Sequence, residues 1–231
     1  MSQPAVPMRA IVVADGRVDA HELRREAAVP GTLVIGADGG AGRAQAAGVR
    51  VDLVVGDLDS LAPAALAELV AAGTEVRRAL PDKDESDTEL ALLAALGRGV
   101  DRIVVLGALG GERLDHELAN LLLLAHPRLD GADVAIVDGP TAIRRIGTAD
   151  GPGRLDVVGV PGDLLTLLPL AGAVEGVTTH GLRYPLTDEP LAPGPARGLS
   201  NELLGTSASV TAMRGRLLVI HTRRSPTEEA P

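Results

Sequence analysis

The chain has 231 residues, 45% of them hydrophobic, with no cysteine, phenylalanine or tryptophan and a formal net charge of -9. That length supports a large core in one or two domains; the missing cysteines exclude disulfides, thiolate catalysis and Cys-ligated zinc, and the negative charge argues against non-specific binding to nucleic acid. No apolar run reaches the roughly 18 residues of a membrane span and no charged and apolar leader opens the chain, so a soluble, cytoplasmic protein without a membrane partner is expected.

The ends, residues 1–7 and 225–231, are polar and proline-rich without apolar periodicity and are expected to fray. From Arg9 to about Asp138, short β-branched runs alternate with helical stretches. The strands are expected at Ala10–Val13, Thr32–Ile35, Val51–Val55, Thr74–Arg77, Arg102–Leu106 and Asp133–Val137. The helices are expected at His21–Ala28, Arg43–Ala47, Pro63–Ala72, Asp87–Leu96 and His116–Ala125. This alternation predicts an α/β fold, a mostly parallel sheet covered by helices on both faces.

After Gly139 helical periodicity stops. Strand-like runs at Arg154–Val158, Asp163–Leu168, Ala173–Thr178, Ser207–Thr211 and Arg216–Ile220 are separated by Gly- and Pro-rich turns, the pattern of an all-β sandwich. The turn-rich stretch Gly147–Gly153 marks the boundary, giving domains over 1–146 and 147–231. The proline-rich stretch Pro185–Gly198 reads as a surface loop.

Four segments carry candidate chemistry. Gly36-Ala37-Asp38-Gly39-Gly40-Ala41-Gly42 follows a strand and precedes a helix, a context in which glycines let backbone N–H groups approach phosphate. Gln45 breaks the dinucleotide fingerprint, and no Gly-Lys-Ser/Thr follows for a Walker loop. Asp38 could meet a sugar hydroxyl or a metal shell; a tight turn with no ligand is the plainer reading.

Gly56-Asp57-Leu58-Asp59-Ser60 ends a buried strand with two carboxylates spaced i,i+2, on one side if the chain stays extended. At about 4 Å and an effective dielectric near 20 they repel by roughly 4 kcal/mol, which calls for a cation, a shared proton or separation. Alternatively Asp59 or Ser60 caps the helix beginning at Pro63.

Asp82-Lys83-Asp84-Glu85-Ser86-Asp87-Thr88-Glu89 is the densest charge cluster and contains the chain's single lysine. Ser86 and Glu89 fit a capping box, with Asp87 at the first helical position. Lys83 suits a phosphate or a group of carboxylates. Finally, Gly107 to His116 holds Arg113, able to fork onto phosphate or to form a surface ion pair, and Asp115, a plausible N-cap. The run His116-Glu117-Leu118-Ala119-Asn120 lacks the second histidine of a zinc protease helix. Aspartates at three glycine-flanked strand ends on one sheet edge, beside a few cations, are what metal-assisted phosphoryl transfer needs.

These segments, with Gly181-Leu182-Arg183-Tyr184-Pro185-Leu186 and Gly198-Leu199-Ser200-Asn201-Glu202, occur in an order that resembles the thiamine pyrophosphokinase family over residues 10 to 222. The resemblance implies Mg²⁺-dependent transfer of pyrophosphate from ATP to the hydroxyl of thiamine, giving thiamine diphosphate and AMP. It implies an N-terminal α/β domain for ATP and metal, and a C-terminal β-sandwich for thiamine. It also implies a homodimer whose site lies between the α/β domain of one subunit and the sandwich of the other.

By motif position, Asp57, Asp59, Asp87 and Asp115 would be the catalytic and metal-binding residues. Asp38, Gly39, Gly40, Ser60, Lys83, Asp84, Arg113 and His116 would bind ATP and its phosphates. Tyr184, Ser200 and Asn201 would bind thiamine. Gly42 stands where the family usually has asparagine, and Ser86 where it has threonine. Only Tyr184, with histidines such as His180 as substitutes, could stack on thiamine. The alternatives are a pyrophosphokinase for another alcohol such as a hydroxymethyl pterin, a non-catalytic nucleotide- or thiamine-binding regulator, and, more remotely, a dinucleotide oxidoreductase.

Overall fold

The computed structural model describes residues 8–80 and 82–224; the ends expected to fray lie outside them. The chain forms two compact units, residues 1–139 and 140–231.

In the first unit, strands β1 (Met8–Val13), β2 (Thr32–Ala37), β3 (Leu53–Gly56), β4 (Glu75–Arg78), β5 (Val100–Leu106) and β6 (Asp133–Asp138) lie in the order β6-β5-β1-β2-β3-β4. Every pairing among them is parallel. The connections are α1 (Ala20–Ala27), α2 (Gly40–Ala46), α3 (Pro63–Ala71), α4 (Asp87–Gly97) and α5 (Leu114–Leu123). Central strands covered on both faces need continuous apolar runs, and Ala10 to Val13 are fully buried. The expected α/β sheet is therefore present.

The C-terminal ends of β2, β3 and β5 all reach one edge, where open parallel sheets bind ligands.

Several element starts differ from the expectation. Helix α2 begins at Gly40, not Arg43, so the glycine segment is the helix's own first turn. Glycine is required there because a Cβ on Gly40 would lie 1.9 Å from the Val13 carbonyl oxygen of β1. Helix α3 starts at Pro63 behind Ala62, with no side-chain cap, so neither Asp59 nor Ser60 caps it. Helix α5 starts at Leu114 behind Arg113, which puts Asp115 inside the first turn rather than at the cap. Ser86, by contrast, caps α4, its hydroxyl accepting the Glu89 N–H at 3.1 Å. Ser86→Ala is expected to cost about 1 kcal/mol, seen as a lower midpoint in urea unfolding; an unchanged midpoint would show that the cap is idle.

In the second unit, β7 (Thr141–Ile146), β9 (Leu164–Pro169), β12 (Asn201–Glu202) and β14 (Leu217–Thr222) pair antiparallel in the order β12-β9-β14-β7. Strands β8 (Gly153–Val158), β10 (Val174–His180), β11 (Glu189–Leu191) and β13 (Ser207–Ala212) form a second sheet, β11-β10-β13-β8. Inward residues of both sheets, Leu165, Leu167, Leu217 and Val219 from one, Val174, Val177, Val210 and Ala212 from the other, share one core. That interleaving makes the expected sandwich.

The break falls at 139/140, ahead of the Gly147–Gly153 turn, because Thr141–Ile146 is a full strand paired to β14. The stretch read as a loop, 185–198, contains the short strand β11, tied to β10 at Val174 and Val177.

Candidate active site

The site grows from the ends of β2 and β3. Asp38, just past β2, adopts a left-handed backbone (φ 46). Its N–H bonds the Val55 carbonyl at 2.9 Å and its own carbonyl accepts the Ala41 N–H at 3.0 Å, so β3 and the first turn of α2 fix it. Only 5% of Asp38 is exposed. One carboxylate oxygen accepts the Ser60 N–H at 3.2 Å, while the other, Oδ1, is buried without a hydrogen-bond partner. Burial pushes the Asp38 carboxyl up; the Ser60 contacts oppose this, and the charges of Asp87 and Asp59 add to it.

Past β3 the chain does not stay extended. Leu58 is buried in the left-handed region (φ 67) and anchors a turn. The Asp59 N–H points to Asp57 Oδ1 at 3.3 Å. The pair therefore converges through a turn, not through the alternation of a strand. One oxygen from each of Asp38, Asp57 and Asp59 lies within 4.8 Å of the other two. At that separation each charged pair repels by roughly 3 kcal/mol at a dielectric near 20. An all-oxygen set with an orphaned buried carboxylate oxygen suits a hard divalent cation.

Asp87, first residue of α4, reaches Asp38 over Gly56, whose missing side chain makes room: a Cβ there would lie 3.0 Å from both Asp87 Oδ1 and the Asp38 Cβ. Lys83 joins the groups, its ammonium 2.9 Å from Asp87 Oδ1 and 3.7 Å from Asp57 Oδ2, with 13% of the side chain exposed. Burial works against the Lys83 charge, but the contact with Asp87 and the fields of Asp87, Asp57 and Asp38 outweigh it and raise its proton affinity.

The other expected residues fall less centrally. Gly39 and Gly40 are buried in the turn after Asp38, while Ser60, Asp84 and His116 are exposed. Asp115 stays outside the three-carboxylate group. It is exposed and takes the Arg113 Nε at 3.2 Å, and that guanidinium holds its carboxyl below the usual range.

In the second unit, Asn201 is 7% exposed and brackets the backbone of Tyr184, accepting its N–H at 3.0 Å and donating to its carbonyl at 2.7 Å. The amide thereby positions Tyr184, whose ring stays exposed. Ser200, exposed and left-handed at φ 54, donates its N–H to Thr166 Oγ1 at 3.0 Å.

One pair escaped the sequence reading. Asp15 follows β1 and takes the Arg43 Nε at 2.9 Å, packed so closely that a Cβ on Gly39 would meet its carboxylate at 2.6 Å. The signal was available: Asp15 ends an apolar run as Asp57 does, without a second carboxylate to draw notice.

Two family models match the chain: thiamin pyrophosphokinase, catalytic domain, over residues 27–136, and thiamin pyrophosphokinase, vitamin B1 binding domain, over 156–217. The chain is 27% identical over 192 residues to the thiamine pyrophosphokinase of Bacillus subtilis, covering 83% of this chain and 87% of that protein. The crystal structure of a Bacillus subtilis thiamine pyrophosphokinase is similar with a TM-score of 0.81 at 26% identity, over 94% of this chain and 100% of that one. That of the Geobacillus thermodenitrificans thiamin pyrophosphokinase gives 0.78 at 28% identity, over 95% and 99%.

Proposed function

Because the chain belongs to the thiamin pyrophosphokinase family, we propose that it transfers the terminal pyrophosphoryl group of ATP to the hydroxyl of thiamine with Mg²⁺. The α/β unit binds the nucleotide and the sandwich binds thiamine. The observation that carries this reading is the convergence of one oxygen from each of Asp38, Asp57 and Asp59 within 4.8 Å of the other two, beside a buried Asp38 Oδ1 that no donor satisfies.

The residues fit the ion. Asp57 and Asp59 would hold Mg²⁺, with Asp38 and Asp87 at its flank; when bound, it supplies positive charge against the phosphate oxygens. The sequence reading set Asp115 in this group, but its pairing with Arg113 favours a role with that arginine towards phosphate.

The hydroxyl oxygen of thiamine attacks the β-phosphorus in line, the bond from that phosphorus to the α–β bridging oxygen breaks, and AMP departs with the bridging oxygen. Lys83 and Arg113 offset charge spreading over the phosphoryl oxygens. A loose transition state leaves little for a base to do, and the hydroxyl proton passes to Asp59 or Asp87. Tyr184, its backbone clamped by Asn201, offers the one aromatic face of its kind for the thiazolium or pyrimidine ring. We also take the enzyme to work in the cytoplasm as a homodimer, the sandwich of one subunit completing the site of the other, an expectation carried by the family resemblance alone.

The direct test incubates the protein with ATP, Mg²⁺ and thiamine and identifies both products. AMP and thiamine diphosphate are expected in equal amounts. ADP with thiamine monophosphate, or no product, would sink the assignment.

A further inference from the structure

The acidic centre already contains a cation of its own. Four carboxylates, Asp38, Asp57, Asp59 and Asp87, crowd the ends of β2 and β3 and the start of α4, and Lys83 is the basic side chain seated against two of them. Its ammonium touches Asp87 and Asp57 and leaves Asp38 Oδ1, buried and without a donor. One positive charge is thus set against a group built for more. Lys83 is the only lysine in a chain that otherwise uses arginine for its cations. A guanidinium is a rigid planar fork, whereas an ammonium is a compact charge on a flexible four-carbon stem that can swing away.

We propose that Lys83 is a tethered counter-ion: it holds the metal-free acidic centre together by occupying the charge position of a divalent cation, and it is displaced towards the substrate's phosphates when that cation enters. This rests on the reading of Asp57 and Asp59 as metal-holding residues. Two physical consequences follow. Without Lys83, repulsion among the carboxylates is unrelieved, so the metal-free protein loses stability. A divalent ion would then enter without an ammonium beside Asp57 and Asp87 to oppose it, so its affinity rises. A lysine serving only as a structural ion pair produces the first effect and not the second.

The test uses Lys83→Met and Lys83→Gln in the full chain, with Mn²⁺ as the probe and no nucleotide. Thermal unfolding in chelator is expected to give a lower midpoint for both variants. Calorimetric titration is expected to show Mn²⁺ binding roughly tenfold tighter than to the wild type, and the rise in Tm on saturation with Mn²⁺ is expected to be larger. Lys83→Arg, which keeps the charge on a stiffer head that moves aside less readily, should bind Mn²⁺ no more tightly than the wild type and more weakly than either neutral variant.

Mn²⁺ affinity equal to or weaker than wild type in both neutral variants would overturn the proposal, as would absence of Mn²⁺ binding in all the proteins. Should a neutral variant fail to fold in chelator, Mn²⁺ is expected to restore its folded circular dichroism, and failure to do so also counts against the proposal. AMP release by the wild type is measured separately. A protein that binds Mn²⁺ but forms no AMP contradicts the transfer reading, while the titration still decides the role of Lys83.

Discussion

Asp57→Asn is expected to lower kcat/KM for AMP formation by about 10²–10³-fold, the scale on which a preorganised electrostatic contact to a developing charge is worth about 3–4 kcal/mol. Asp57 stands between the carboxylates of Asp38 and Asp59 and the ammonium of Lys83, so it couples both halves of the centre. The same change should barely alter folding. It removes a charge within 4.8 Å of two like charges at the expense of one ion-pair contact of 3.7 Å, and these effects oppose each other. The Tm of the metal-free protein should therefore stay within a few degrees of wild type, while the rise in Tm expected from added Mg²⁺ should be lost. A variant that keeps AMP release within about fivefold of wild type would remove Asp57 from the centre.

Gly40→Ala has the largest expected effect on the fold. The added Cβ would sit 1.9 Å from the Val13 carbonyl oxygen and 2.6 Å from its carbon. Both are backbone atoms of a central strand, so no side-chain rotation relieves the clash. The first turn of α2 must back away from β1, at about 3 kcal/mol or more. For a protein of this length that corresponds to a fall in Tm of roughly 6–12 °C. Activity should suffer too, because Asp38 accepts the Ala41 N–H and moves with that turn. Gly97→Ala is the control: at the end of α4 a Cβ there meets nothing within 4 Å, and the change is expected to be neutral or stabilising by up to about 1 kcal/mol. Equal losses in the two variants, by differential scanning calorimetry, would show that the close approach at Gly40 does not matter.

Much of the fold was legible because its cues are local. Apolar runs such as Ala10–Val13 report burial on both faces of a parallel sheet, and the alternation of Leu165 and Leu167 with neighbours that face outward reports one face of a sandwich. The Ser86 cap was legible for the same reason, since its hydroxyl needs only the N–H three residues on. Strand β7 was missed because its paired arginines, Arg144 and Arg145, break the period-2 pattern, and its partner β14 lies some seventy residues away in sequence. The false caps had a different cause. Asp59, Ser60 and Asp115 are good capping residues, but their side chains are engaged elsewhere: the Ser60 hydroxyl donates to Asp59 Oδ1 at 3.0 Å, and Asp115 is held by Arg113.

The amino-acid sequence by itself determined the inventory: glycines where a side chain would collide, aspartates at strand ends, one lysine, one tyrosine and the order of motifs that marks the family. Each is a property of a short stretch of chain. Tertiary structure alone decided which carboxylates meet. Asp38 comes to Asp57 and Asp59 because β2 and β3 are parallel neighbours in register, and Asp87 reaches the same point because Gly56 leaves it space. Asp115, indistinguishable from the others by residue type, lies in the first turn of α5 and pairs with Arg113 two residues away. Electrostatic interaction falls with distance in space and takes no account of distance along the chain, so charge can be counted from sequence but its pairing cannot.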